Sequence, residues 1–372
     1  MKKIKRIILS GGGTGGHIYP ALALYRALKA SYPDIECLYI GTERGLESTI
    51  VPRQGIPFQA IEISGIKRSL TLENLKVAWQ MLTATHNAKK LIREFEPDLV
   101  LGTGGYVCGP VLFAASQLKI PTIIHEQNSV AGITNKFLAR SVDRIATCFE
   151  EVKNDFGKHA EKVVLTGNPR GQEVLQTEAS GSILSEQFDL DDQQATVLVF
   201  GGSRGAPAIN QAGLEGLSHW QDQDYQIILA TGQSHYDDLD KKLLERYNTS
   251  SNIRIVPYIE NMPAVFQSID LVVCRSGATT LTELTALGLP SILIPSPYVT
   301  NNHQEQNAMA LVQKGAAEMI RESELNASLL IEKIESLIHD PASLDRMRQQ
   351  AKQMGITDAS QRLIQMMEEL TK

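Results

Sequence analysis

The 372-residue sequence has only four cysteines, Cys37, Cys108, Cys148 and Cys274. They lie far apart, with no CxxC and no Cys/His cluster, which argues against a zinc site or a disulfide framework and fits a reducing cytoplasm. No apolar segment reaches the roughly 18 residues needed to span a bilayer, so any membrane contact has to be peripheral. The opening MKKIKRIILS is basic and then apolar, like the start of a signal peptide. Its run is too short and breaks into glycines and His17, so it reads as a first strand. Excess positive charge is also missing. The net charge is −6, and bulk electrostatics gives no reason to expect nucleic acid. No glycine-rich loop ends in GK[ST], which excludes a P-loop. There is no low-complexity segment.

What is present is an alternation of short apolar, β-branched runs with longer helical patterns. Strands are expected at 5–10, 36–41, 98–102, 121–125, 143–147 and 162–166, and again at 195–201, 225–231, 253–257, 270–274, 290–295 and 316–320. This is the pattern of parallel sheets covered on both faces. The halves resemble each other: KRIILSGGGTGG opens one and ATVLVFGGSRGA the other, and PDLVLGTGG is echoed by IDLVVCRSGATT. The fold class is therefore α/β, with two Rossmann-like parallel-sheet domains facing a central cleft. The polar stretch 171–194 is the expected joint.

Glycine-rich loops follow expected strands at 11–16, 102–105 and 201–205, and a fourth strand runs into RSGATT at 275–280. Such turns let backbone N–H groups approach an anion, aided by the positive end of the next helix. Gly11, Gly13 and Gly16 satisfy GxGxxG, yet a dinucleotide cofactor would account for only one of the loops. Glu43, near the end of the second strand, leaves the ribose test of a dehydrogenase undecided. His17 stands at the start of the helix after the first loop, where an imidazole suits proton transfer.

Seven motifs then accumulate in order: GGGTGGHIYPALAL, GTGGYVCGP, HEQNSVAGITNKFLAR, TGNPR, GGSRGAPAIN, CRSGATTLTE and NNHQEQNA. Together they resemble the MurG family of GT-B glycosyltransferases over nearly the whole chain. The resemblance implies an inverting hexosyltransferase of peptidoglycan precursor synthesis. Such enzymes move GlcNAc from UDP-GlcNAc to the C4 hydroxyl of the muramyl sugar of undecaprenyl-linked lipid I, giving lipid II and UDP. It implies an acceptor and membrane-facing domain at 1–169 with a C-terminal helix at about 356–372, and a donor domain at 170–355.

The resemblance also assigns residues. For the donor it implies Thr14, Gly15, Gly16, Asn128, Arg170, Ser203, Ile259 (backbone to uracil), Ala278, Thr279 and Thr280 (phosphates), Glu283 (ribose), His303 and Gln304. For the acceptor it implies Thr14, His17, Gly104, Tyr106, His125 and Asn135, with the lipid diphosphate on loops 11–16 and 102–105. Either His17 or Glu126 is the base. The DxD strings Asp189–Asp191 and Asp238–Asp240 do not follow strands into the cleft, so no metal cofactor is expected. Leu72, Leu75, Trp79 and Leu82 share a helical face near Lys67, Arg68, Lys76, Lys89 and Lys90. This stripe either packs on the sheet or docks on the anionic cytoplasmic leaflet of the cell membrane. Cell-wall synthesis proteins are implied as further partners.

Three other functions stay open on these grounds. A glycolipid synthase would share the donor half without HEQNSVAGITNK. A UDP-GlcNAc 2-epimerase would act on donor alone. A binding module without turnover would tolerate loss of His17.

Overall fold

The computed structural model describes residues 4–64, 72–177, 181–202 and 205–371; the side chains of 72–78 fall outside the description. Two compact units emerge, Met1–Gln172 with Asp358–Lys372, and Glu173–Thr357. The boundary falls inside the helix Pro169–Gln176, at the start of the polar stretch.

In unit 1, strands β1 (Arg6–Ser10), β2 (Glu36–Gly41), β3 (Phe58–Ala60), β4 (Leu99–Gly102), β5 (Thr122–Glu126), β6 (Arg144–Thr147) and β7 (Val163–Leu165) form one sheet. Its order is β3-β2-β1-β4-β5-β6-β7, and every neighbouring pair is parallel. In unit 2, β8 (Thr196–Phe200), β9 (Gln226–Ala230), β10 (Ile253–Val256), β11 (Leu271–Cys274), β12 (Ser291–Leu293) and β13 (Glu318–Met319) form a second sheet. Its order is β10-β9-β8-β11-β12-β13, again all parallel.

The central strands are apolar on both sides because both faces are covered. Within β1, Ile7 and Leu9 enter one core while Ile8 enters the other. All twelve expected strands are present. One strand escapes sequence analysis: β3, at a sheet edge, has one half-buried and two exposed side chains and so carries no apolar run. The C-terminal helix Ala359–Leu370 returns to unit 1. Leu363, Met366 and Met367 join the core beneath the helix Gly15–Ser31, and the Ser360 amide donates to Gln172 Oε1 at 3.1 Å.

In each sheet the strand order reverses once, between β1 and β4 and between β8 and β11. Ligands of doubly wound sheets bind outside the carboxyl ends of the strands at such a point. All four small-residue loops singled out in the sequence begin there.

Candidate functional site

In unit 1 the loop after β1 turns through Gly13 (φ 84°) and enters the helix Gly15–Ser31, with Thr14 as an extended cap residue. His17 lies in the first turn. Its Nδ1 is 2.9 Å from the Gly12 carbonyl and 3.4 Å from Thr14 Oγ1. A carbonyl can only accept, so this contact requires the proton on Nδ1, and in the neutral ring the lone pair is then on Nε2. The loop after β4 leans on this ring. Gly104 has φ 113°, and a Cβ there would come within 2.6 Å of His17 Cδ2. The Gly12 amide donates to Gly104 O at 3.2 Å, tying the two loops together. The Thr103 hydroxyl donates to the His17 carbonyl at 2.6 Å and seats the helix start.

The structure adds a residue that the sequence did not single out. Glu47 is wholly buried, and its carboxylate accepts from Gly13 N at 3.0 Å, Thr42 N at 3.0 Å and Thr42 Oγ1 at 2.7 Å. Gly12 and Gly13 thus give their amides to the protein. Glu43, by contrast, is exposed.

Glu126, the rival base, is buried at the end of β5. One oxygen accepts from Asn128 N (3.0 Å) and Asn128 Nδ2 (3.2 Å), the other from Gly132 N (2.8 Å) and Asn135 Nδ2 (2.8 Å). The HEQNSVAGITNK segment is folded around this carboxylate. Asn128 and Asn135 are thereby loop-holding groups, and Asn135 is itself buried. Tyr106 is exposed beside the glycines. Arg170 lies over the Tyr19 ring, 5.8 Å from its centroid.

His125 is also buried, with Nε2 2.9 Å from Gly167 O and Nδ1 2.9 Å from Gln127 Nε2. Desolvation holds its pKa below the ordinary 6.5, against smaller opposing effects of the Gly167 carbonyl and Glu126. It is therefore neutral in the fold. Above pH about 6.5 the unfolded chain is neutral here too, and nothing is lost. As pH falls below that value the unfolded state takes the proton first, and stability declines until the folded value is passed. Unfolding midpoints between about pH 7.5 and 5 should fall less steeply with acid in His125→Gln than in the parent.

In unit 2 a cavity of about 470 Å³ opens where β8, β11 and β12 end and beyond β13, lined by Gly201, Gly205, Arg275, Ser296, Tyr298, Gln304 and Glu322 among others. Arg275 is not aimed outward. It pairs with Glu322 and donates to the carbonyls of Ile294 (3.1 Å) and Pro295 (3.2 Å). Gln304 Oε1 accepts from Ser296 N at 2.9 Å. Gly277, Ala278, Thr279 and Thr280 form the start of the helix Ala278–Leu287, which has no side-chain cap. Its N-terminal dipole and amides suit an anion. Glu283 is buried one turn on, and Ile259 is buried beside exposed Tyr258. Gly205 has φ 74° and approaches Thr231 so closely that a Cβ would sit 2.0 Å from its carbonyl oxygen. Ser203 lies outside the described residues.

Among the described residues no group of three or more His, Cys, Asp or Glu is placed to hold a metal ion. Of the DxD strings, Asp189 is fully exposed, and Asp240 caps the helix Lys241–Asn248 by accepting from Lys242 N at 2.7 Å.

Two parallel α/β units, each with glycine loops at its switch point, define a GT-B type of glycosyltransferase architecture. The chain belongs to glycosyltransferase family 28: residues 7–147 match its N-terminal domain and residues 196–363 its C-terminal domain. It is 53% identical over 97% of its length to a protein of Listeria monocytogenes, and covers 98% of that protein. The relative is named UDP-N-acetylglucosamine--N-acetylmuramyl-(pentapeptide) pyrophosphoryl-undecaprenol N-acetylglucosamine transferase. A Bacillus cereus protein of the same name, numbered 1, is 53% identical over 99% of this chain and is covered completely. Among solved structures, Acinetobacter baumannii MurG superposes with a TM-score of 0.77 at 29% identity, covering 98% of this chain and 99% of that one. A Neisseria meningitidis UDP-GlcNAc 2-epimerase superposes at 0.69 with 15% identity, covering 98% of this chain and 100% of its own, a likeness of fold alone.

Proposed function

We propose that this chain transfers GlcNAc from UDP-GlcNAc to the C4 hydroxyl of the muramyl sugar of lipid I, giving lipid II and UDP with inversion. The observation that carries this reading is 53% identity, over 97% of the chain, to a relative named for that transfer. Unit 1 receives the acceptor. His17 Nε2 takes the hydroxyl proton as the oxygen attacks the anomeric carbon. The bond from that carbon to the diphosphate breaks, and its electron pair leaves with UDP. One displacement inverts the carbon and needs one base.

Unit 2 holds the donor. The helix start at Ala278–Thr280 and nearby backbone amides take the diphosphate and stabilise it as it leaves. Glu283 takes the ribose diol, and the Ile259 backbone reads uracil. Gln304 and Ser296 face the cavity that suits the sugar. Arg275, tied to Glu322, shapes that wall. Thr14, Gly15 and Gly16 meet the substrate at the helix beside His17, and Tyr106 flanks the acceptor.

The lipid substrate calls for a membrane face, which we assign to the helix Leu72–Phe95, on the cytoplasmic leaflet. No helix of the described residues is long and apolar enough to cross a membrane. Ala84, Ala88 and Ile92 of this helix enter the core, whereas Trp79 is 66% and Leu82 72% exposed. These two are therefore not the packed face. The Leu72 and Leu75 side chains lie outside the described residues. Inserting one such side chain contributes about 1.5–3 kcal/mol, or roughly tenfold or more in partitioning. Trp79→Ser and Leu82→Ser should each weaken binding to anionic vesicles by about that factor, measured by sedimentation, with transfer to a short-chain soluble acceptor unchanged.

The test of the reaction is transfer of radiolabelled GlcNAc from UDP-GlcNAc to a lipid I analogue in the presence of EDTA. Labelled lipid II supports the reading. Epimerised donor with no transfer, or binding of NAD instead, overturns it.

A further inference from the structure

The Gly12–Gly13 peptide has partners at both ends. Its N–H points at Glu47 Oε2, 3.0 Å away, and its C=O accepts from His17 Nδ1 at 2.9 Å. The geometry points to Glu47 as a positioning residue for transfer: its carboxylate acts on His17 through this one peptide unit. A carboxylate on the N–H draws negative charge toward the carbonyl oxygen, because hydrogen bonds in a chain polarise one another. That strengthens the bond from Nδ1–H, keeps the base lone pair on Nε2, and stabilises the imidazolium that forms when the acceptor proton arrives. The logic is that of a carboxylate orienting a catalytic histidine, with a peptide between them.

The surroundings fit a device built for close approach. A Cβ at Gly12 would lie 2.3 Å from Glu47 Oε1, and one at Gly45 would lie 2.1 Å from Oε2. Both glycines are required for the carboxylate to sit where it does. Thr42 supplies both remaining donors, so the carboxylate is fixed from two directions. No lysine, arginine or histidine forms an ion pair with Glu47 among the described residues, which leaves the peptide and Thr42 as its partners. Among the described residues, the other buried titratable groups hydrogen-bonded to the start of the loop are the Tyr39 phenol, which donates to Gly11 O, and the Cys108 thiol on Ser10 O, while Tyr106 beside the glycines is exposed. Burial raises both, Cys108 to about 12, so neither carries charge near neutrality. Arg170 lies over Tyr19, two residues further along the histidine's helix. Among the described residues, Glu47 is the buried carboxylate hydrogen-bonded to the peptide whose carbonyl meets His17 Nδ1.

The inference rests on His17 being the base of the proposed transfer. Glu47→Gln keeps the shape and removes the charge. It should lower kcat by about 10–100-fold, the scale of loss when a group that orients a metal-bound histidine is removed and below that of a carboxylate bonded directly to a catalytic one, with KM for UDP-GlcNAc unchanged. The acid limb of the kcat–pH profile should move to lower pH, because the imidazolium has lost its stabiliser. Added to His17→Ala, Glu47→Gln should cost little more, since both changes remove one unit. A full multiplicative loss in the double variant, or an unmoved pH limb, would reduce Glu47 to a structural role. If the parent transfers and His17→Ala is inactive while Glu47→Gln matches the parent, this inference alone fails. If His17→Ala is as active as the parent, the base assignment itself fails. Should Glu47→Gln not fold, ¹⁵N imidazole shifts of the parent decide the matter: an Nε2–H tautomer at His17 overturns the inference, and an Nδ1–H tautomer upholds it.

Discussion

His17→Ala should reduce GlcNAc transfer by about 10²–10⁴-fold, the contribution of a positioned general base. UDP affinity, measured by calorimetry, should stay at the parental value, because the nucleotide is assigned to unit 2. The loss should appear in kcat more than in KM, since the proton is taken only as the bond forms. The structure makes the histidine the candidate. Its Nδ1 is committed to the Gly12 carbonyl, which places the lone pair on Nε2 in the first turn of a helix at the switch point of the sheet. Glu126, the other candidate, has both oxygens occupied by two donors each. Activity that survives in His17→Ala would require another base and would remove the tautomer argument.

Glu126→Ala should have the largest effect on stability. It would take away the carboxylate that accepts from four donors of the 128–135 segment: the part-buried Asn128 amide, Asn128 Nδ2 and Gly132 amide, and the buried Asn135 Nδ2. A buried unsatisfied donor such as Asn135 Nδ2 costs about 1–3 kcal/mol and the three part-buried donors, which reach water, cost less, so a net loss of about 2–4 kcal/mol is expected. For a unit of this size that lowers the unfolding midpoint of unit 1 by roughly 10 °C. Glu126→Gln should fall between the two, because an amide offers one oxygen where the loop needs two. Scanning calorimetry with a probe in each unit would see the loss in unit 1 alone. A variant that is inactive yet melts like the parent would instead give Glu126 a direct part in the chemistry.

These two carboxylates show where sequence reasoning stops. The HEQNSVAGITNK motif marks Glu126 as important, but a motif does not say whether a carboxylate faces substrate or its own loop. Glu47 had no signal at all. It stands more than thirty residues from Gly13, and its neighbour Glu43 looked better placed. Only the parallel pairing of β1 with β2 brings the two loops together. His125, in the same motif as Glu126, turns inward onto Gly167. Conversely, the Trp79 and Leu82 stripe could have packed on the sheet, since its spacing fits either face. The structure resolves that choice by giving Ala84, Ala88 and Ile92 to the core.

The sequence alone determined the class of fold, twelve of the thirteen strands seen among the described residues, the loops that end them and the histidine at the first helix. Those features are local. A strand covered on both faces is a continuous apolar run, and a tight strand-to-helix turn through positive φ needs glycine whatever lies elsewhere. Tertiary structure alone decided which buried carboxylates hold loops, which histidine is tied through Nδ1 to a glycine carbonyl and which turns inward, and which helix face meets solvent. Each of these depends on partners far apart in sequence, and a hydrogen bond leaves no mark on the chain until the backbone brings its two ends within about 3 Å.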